Sequence, residues 1–455
     1  MVKTIDAASA EENATRAAVR AAVAAVRPHL KWAAVIFAVA LAARIFWVVY
    51  VPADPTDLKT MDDTIFYHGS ATSLADGEGY LNPWVGYHTA QWPPGYSFLL
   101  AAVYWLPGPD VPAAWSTNIL LGALTCVAVY WLGVLVAGQR AGALAGLIFA
   151  VFPGHVFFST LIMSESLFVL IVVIAMALLA LSLKSEEPGV PLLLLTGAAL
   201  AAAALVRGQG LFMLVVAFLL WGIAGGDWAK ALRRTAVVTV TALALIMPWT
   251  IRNYVAIDAF VFISTNDGGN LFMGHNENSN GRFNASGAWI GTWVEGLPWQ
   301  QREVETSNVA LREGLKFMFT HPWREVQLSA TKIRALYEDD EDALRWIHRP
   351  DISRPVPFLK VISDVANAYY FAVIAASGLG LVYWLRQPRG LLLLPFLVVA
   401  VFTLGQLLFF ATSRFHLPML PSFALLAAAG LLWGAQELSR RRARGPTRRA
   451  KGIAQ

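Results

Sequence analysis

Apolar segments long enough to cross a bilayer recur along this chain and leave it few folds to adopt. A spanning helix needs about 20 apolar residues. Segments of this kind run over Trp32–Val51, Pro112–Val136, Ala141–Phe158, Ser164–Leu183, Pro191–Val206, Gly210–Ala224, Thr235–Thr250, Ala366–Leu385, Gly390–Phe410 and Leu417–Gly434. The fifth and sixth are short and parted only by Arg207-Gly208-Gln209-Gly210. Read as one helix they would overshoot the bilayer, because about 33 residues rise ~1.5 Å each. The chain is 57% hydrophobic and 14% charged, too apolar for a soluble domain. The expected class is an all-α polytopic membrane protein of about ten transmembrane helices, with extracytoplasmic loops that carry short helices. The single cysteine, Cys126, excludes an intrachain disulfide and a thiolate metal cluster.

An even number of crossings puts both ends on one side. That side carries Lys3, Arg16, Arg20, Arg27 and Lys31 in the N-terminal arm and Arg440, Arg441, Arg442, Arg444, Arg448, Arg449 and Lys451 in the tail. Its short turns carry Arg140, Lys184, Lys230, Arg233, Arg234, Arg386 and Arg389. By the positive-inside rule this side is the cytoplasm. The expected layout is a cytoplasmic arm at 1–31, a transmembrane module at 32–434 and a basic cytoplasmic tail at 435–455. Two long segments, 52–111 and 251–365, then lie outside the cytoplasmic membrane. The arm is either an amphipathic helix or without fixed structure. The run Tyr96–Leu106 is too short to span and reads as an interfacial helix. No ATP is available on the outer face, so an enzyme there needs a substrate that arrives already activated.

Polar residues gather at that outer boundary. Asp62 and Asp63 follow the first crossing and open the run Asp63-x-x-x-Tyr67-x-x-x-Ala71-x-x-Leu74-x-x-Gly77-x-Gly79-Tyr80. They suit a general base or a metal or sugar ligand, or the N-terminus of a helix over Thr64–Ala75. Gln91-Trp92-Pro93-Pro94-Gly95-Tyr96 is a stiff corner whose Trp92 and Tyr96 are candidates to line a substrate. Glu165 either caps the fourth crossing after Ser164 or orients an acceptor or a basic residue. Arg44, inside the first crossing, either pairs with Glu165 or snorkels outward. Arg207, Arg252 and Arg414 lie at outer helix ends, with His416 beside the last. Guanidinium groups at one depth can clamp a phosphate through paired N–H donors. The amide-rich stretches Ser264–Asn270 and Gly274–Gly281 suit sugar hydroxyls, a divalent cation or an ordinary turn-rich loop. Trp289, Trp293 and Trp299 downstream either stack on sugars or fill a core. Neither a Gly-x-x-x-x-Gly-Lys, a His-Glu-x-x-His nor a Gly-x-Ser-x-Gly motif occurs, which counts against an ATPase, a zincin and an α/β-hydrolase.

In order, these motifs resemble the GT-C type membrane glycosyltransferases, in the branch of protein O-mannosyltransferases and lipid A aminoarabinose transferases. The likeness rests on Arg44, the run from Asp63 to Tyr80, Pro93-Pro94-Gly95-Tyr96, Ser164-Glu165, Leu205-Val206-Arg207 with Gly210-Leu211, Pro248-Trp249-Thr250-Ile251-Arg252-Asn253 and Arg414-Phe415-His416-Leu417-Pro418. Two departures are an Asp-Asp pair where many relatives have Asp-Glu, and the lack of the C-terminal soluble domain that some relatives carry. The resemblance implies an inverting transfer from a polyprenyl-phosphate sugar to an acceptor hydroxyl of an envelope lipid, glycan or protein. Asp63 would be the base, with Asp62 in reserve. Arg414, with Arg252 or Arg207, would hold the departing phosphate. Glu165, Tyr67, Trp92, Tyr96 and His416 would line the substrate. No cofactor is required by it, and a divalent cation stays open. Membrane lipids are expected partners and nucleic acid is not.

The rival class is a transporter or flippase of lipid-linked sugars. Transporters bind near the midplane, often within internal repeats. This chain shows no internal repeat, and its polar residues lie at the outer boundary.

Overall fold

The computed structural model describes residues 28–51, 63–185, 187–284, 294–347, 357–388 and 390–443. Asp62, Trp289, Trp293, the side chain of Trp299, most of the N-terminal arm and the end of the basic tail lie outside the described residues.

Lipid offers no partner to a free N–H or C=O, so a helix that closes its own hydrogen bonds is the form a spanning segment can take. Among the described residues the fold is helical, with two isolated β-bridges. The membrane part contains α1 (Pro28–Tyr50), α4 (Val111–Ala137), α5 (Gln139–Ala150), α6 (Pro153–Phe157), α7 (Glu165–Lys184), α8 (Val190–Val206), α9 (Phe212–Gly225), α10 (Trp228–Ile257), α15 (Leu359–Arg386), α16 (Gly390–Gln406) and α17 (Leu420–Ala443). Between α1 and α4 lie α2 (Asp63–Ala75) and α3 (Gly95–Tyr104). Between α10 and α15 lie α11 (Asn266–Gly274), α12 (Trp299–Thr320), α13 (Pro322–Tyr337) and α14 (Asp342–Ile347).

Each predicted crossing is helical, but the count differs from ten. Among the described residues, seven helical stretches are long and apolar enough to cross a membrane. An eighth is α5 with Pro153–Thr160, if that pair, bent by 54°, is one span. Pro153 causes the bend, since it holds Phe152 in an extended conformation. The helices α8 and α16 are shorter, at 17 residues each. This chain is a multi-pass membrane protein. The last stretch is the central one: 89% of its apolar portion is buried, against 28% for those of α1, α10 and α15. The low values leave α1, α10 and α15 facing lipid.

Arg44 takes neither of its expected options. Its guanidinium is fully buried, with Nη1 donating to the carbonyls of Ala40 (2.9 Å) and Ala150 (3.2 Å) and Nη2 donating to His155 Nδ1 (2.8 Å). It fits because residue 122 is glycine; a Cβ there would stand 2.2 Å from Arg44 Nε. Its charge is spread over carbonyl dipoles that tie α1 to the α5–α6 break.

The helices between α10 and α15 dock on the membrane part through a buried polar relay. Lys332 of α13 donates to the carbonyl of Leu407, just beyond α16 (2.9 Å), and faces His275 Nε2 (2.9 Å). His275 Nδ1 meets Glu325 Oε2 at 2.7 Å. Burial pushes Lys332 down to about 8 and lowers His275 as well. In the unfolded chain Lys332 stays protonated to about pH 10.4. The folded state therefore loses that proton first, and this group adds stability as pH rises from 8 towards the unfolded value. His275 is already neutral there. Between about pH 7.5 and pH 9.5 the thermal midpoint of the wild type should rise relative to that of Lys332→Met. Parallel curves from differential scanning fluorimetry would sink this assignment.

Candidate active site

Asp63 is the first residue of α2, where a carboxylate suits the unpaired N–H groups and the helix dipole. Arg414 lies 351 residues away, on the 3₁₀ stretch Ser413–Met419 that leads into α17. The fold brings them together: Arg414 Nη1 donates to Asp63 Oδ2 at 2.9 Å. Glu165 opens α7, and its Oε1 is 3.9 Å from the same nitrogen. Arg207, just past α8, donates to Glu165 Oε1 (2.7 Å) and to Ser164 Oγ (3.0 Å). The Tyr67 hydroxyl also donates to Ser164 Oγ (3.2 Å), and burial raises its pKa well above the ordinary tyrosine range, so it remains a donor. The two guanidinium groups pack on aromatic faces. Arg414 stands 5.3 Å from the Trp346 ring and 5.4 Å from Phe415, and Arg207 stands 5.7 Å from Phe415. A small hollow opens among Glu165, Phe168, Arg207, Gln209, Arg414 and Phe415.

An acidic run that sequence reading passed over holds Arg414 in place. Asp339 Oδ1 accepts from Ser413 Oγ (2.8 Å), and Asp339 also meets Arg345. Asp340 Oδ1 lies 3.0 Å from His416 Nε2, and its Oδ2 accepts the Gly154 N–H at 2.9 Å. Asn367 of α15 accepts the Asp340 N–H at 2.8 Å. Asp342 Oδ2 stands 4.0 Å from Arg414 Nε. Residues on both sides of Arg414 are thus gripped by consecutive acids, and burial pushes the Asp340 and Asp342 carboxyls up. Glu165 Oε2 and Asp342 Oδ2 are buried without a hydrogen-bond partner among the described residues. Gly154 is required for this arrangement, because a Cβ there would sit 2.0 Å from Asp340 Oδ1. Gly154→Ala should destabilise the protein by about 1–3 kcal/mol, the usual range for overpacking, and weaken whatever activity Arg414 supports. An unchanged thermal midpoint in detergent would argue against it.

Of the residues picked from the sequence, Asp63, Tyr67, Glu165, Arg207 and Arg414 come together. Four others, Arg252, Tyr96, Trp92 and His416, are held by other partners. Arg252 donates to the carbonyls of Thr89 (2.7 Å) and Tyr80 (3.0 Å) and lies 4.8 Å from the Trp249 ring, so it braces the loop between α2 and α3. Tyr96 is fully buried and donates to Asn118 Oδ1 (2.9 Å), beneath Tyr67. Trp92 packs on Phe66 at 4.2 Å, and its carbonyl accepts from Tyr80. His416 is buried between Asp340, the Leu336 carbonyl (2.8 Å) and the Tyr370 ring. The amide-rich loop satisfies itself: Asn276 and Ser279 bond nearby backbone. Among the described residues no group of three or more His, Cys, Asp or Glu is placed to hold a metal ion. The signal that could have revealed Asp340 and Asp342 is the uninterrupted run Glu338–Asp342, whose repulsion has to be answered by cations and N–H donors.

This fold is similar to that of a solved membrane oligosaccharyltransferase. Residues 84–263 match the family described as dolichyl-phosphate-mannose-protein mannosyltransferase, a stretch that includes Glu165 and Arg207. The archaeal oligosaccharyltransferase AglB from Archaeoglobus fulgidus, solved with an inhibitory peptide and a dolichol-phosphate, is similar at TM-score 0.57 and 15% identity, over 91% of this chain and 51% of that one. The same enzyme in its apo form gives TM-score 0.56 and 16% identity, over 91% and 51%. ArnT from Cupriavidus metallidurans, bound to undecaprenyl phosphate, gives 0.46 and 15%, over 88% and 78%. The chain thus spans about half the length of the oligosaccharyltransferase it matches. No curated protein matches it.

Proposed function

We propose that this protein is an inverting glycosyltransferase of the cytoplasmic membrane. It moves a sugar from a polyprenyl-phosphate donor to an acceptor hydroxyl on the outer face, with both termini in the cytoplasm. The observation that carries this reading is the meeting of Asp63 with Arg414, Glu165 and Arg207 at the ends of separate helices. An acid that can take a proton and two cations that can take a phosphate are what the reaction requires. The acceptor oxygen attacks the anomeric carbon and gives its proton to Asp63. The bond from that carbon to the phosphate oxygen breaks, and the phosphate leaves with the electron pair towards Arg414 and Arg207. The leaving group supplies the activation that ATP cannot provide outside the cell. Charge gathered at the mouth of the helices, with a buried Tyr67 donor beside it, fits chemistry at a surface better than passage through a midplane site. The family match and the AglB fold favour a lipid-linked donor.

The test uses purified protein in nanodiscs with a panel of radiolabelled polyprenyl-phosphate sugars and an envelope extract. Transfer of label from one donor to an extract component, with inverted anomeric configuration by NMR, supports the reading. If every donor keeps its sugar while the protein carries the lipid between the leaflets of a liposome, the transporter takes its place.

A further inference from the structure

Arg414 is already occupied. Its one direct hydrogen bond to a side chain among the described residues goes to Asp63, the residue proposed as base. A donor phosphate needs the same N–H groups, because a guanidinium offers its donors in a fixed planar fork. The local charge count points the same way. Asp63, Glu165 and Asp342 surround Arg414, and Arg207 adds the second cation. A phosphate entering beside three carboxylates would meet more negative charge than two guanidinium groups balance.

Resting on the proposed function above, we infer that Asp63 is the placeholder for the donor's phosphate on Arg414, so that donor binding and release of the base are one event. Asp63 is the partner able to yield. Its side chain is 20% exposed, against 10% for Arg414 and 5% for Glu165. Glu165 is held by Arg207 at 2.7 Å, and Arg414 is wedged between Trp346 and Phe415. Arg414 therefore stays in place while the carboxylate leaves it. Without donor, the base is neutralised by the cation. With donor, the phosphate takes the guanidinium, and Asp63 turns to the acceptor hydroxyl. Donor binds before a reactive acceptor complex can form.

The experiment measures the Kd of undecaprenyl phosphate for nanodisc-embedded wild type, Asp63→Asn, Asp63→Ser and Asp342→Asn by microscale thermophoresis. Asp63→Ser guards against one variant failing to fold. Direct competition predicts that both Asp63 variants bind the lipid roughly tenfold more tightly than the wild type, the scale of removing the carboxylate charge that competes for Arg414. Asp342→Asn removes a carboxylate that makes no hydrogen bond to Arg414, so its gain should be several-fold smaller. Equal or weaker binding by the Asp63 variants overturns the placeholder role and leaves the glycosyltransferase reading standing. A gain in Asp342→Asn as large as theirs does the same, because it would reflect general charge. No binding by any of the four overturns the glycosyltransferase reading and this inference with it.

Discussion

Asp63→Asn should abolish transfer while leaving the lipid donor bound. General-base catalysis contributes about 10²–10⁴-fold, and a fall of that size in single-turnover rate at saturating donor is the expected result. The substitution is close to isosteric, and the amide oxygen can still accept from Arg414 Nη1, now 2.9 Å from Asp63 Oδ2. What it loses is the capacity to take a proton from the acceptor. The structural cost should be small, since Asp63 is half-buried at a helix start and its other neighbours are not rearranged. Filter-binding with labelled donor separates the two effects. Wild-type rates in Asp63→Asn would move the base to Asp62, its neighbour in sequence, or to another group. A loss of donor binding equal to the loss of rate would instead make Asp63 a binding residue.

Much of this fold is legible because the membrane simplifies it. A run of about 20 apolar residues has few alternatives to a helix, so the predicted crossings are helical, the third as a broken pair. Lengths were less legible. The third crossing breaks at Pro153, and α8 ends at Val206 where Arg207 takes an extended backbone. The charged cluster was legible where position and charge combined, as at Asp63, Glu165, Arg207 and Arg414. Each is a charged group at a helix end, in a region where charge is expensive unless matched. The same rule does not reveal the surroundings of Arg252. A guanidinium at an outer helix end looks alike whether it meets a phosphate or two carbonyls, and those carbonyls belong to Thr89 and Tyr80, 163 and 172 residues away. The run Glu338–Asp342 was missed for the opposite reason. Consecutive acids between helices read as a solvated surface, whereas here Asp340 is buried against Gly154 and His416. Only tertiary contact distinguishes the two.

Arg414→Lys should lower transfer by about 10²–10³-fold, mainly in kcat, because one well-placed donor to a developing anion is worth ~3–4 kcal/mol. The charge survives in this variant, so a loss must come from geometry. An ammonium is a point charge on a flexible stem and lacks the planar fork of arginine. It can serve one carboxylate or the phosphate, whereas Arg414 stands between Asp63, Glu165 and Asp342 while packed on Trp346 and Phe415. Arg414→Ala should be worse in a second way. It leaves three carboxylates facing one another, and breaking a buried ion pair costs about 3–5 kcal/mol of stability. A depressed thermal midpoint in the alanine variant, and a much smaller shift in the lysine variant, would therefore separate support of the fold from support of the reaction. Arg207→Lys should fall between wild type and Arg414→Lys, since Arg207 reaches Arg414 only through Glu165. If Arg414→Lys retains full kcat while Arg207→Lys loses it, the phosphate rests on Arg207, and Arg414 serves chiefly to hold Asp63.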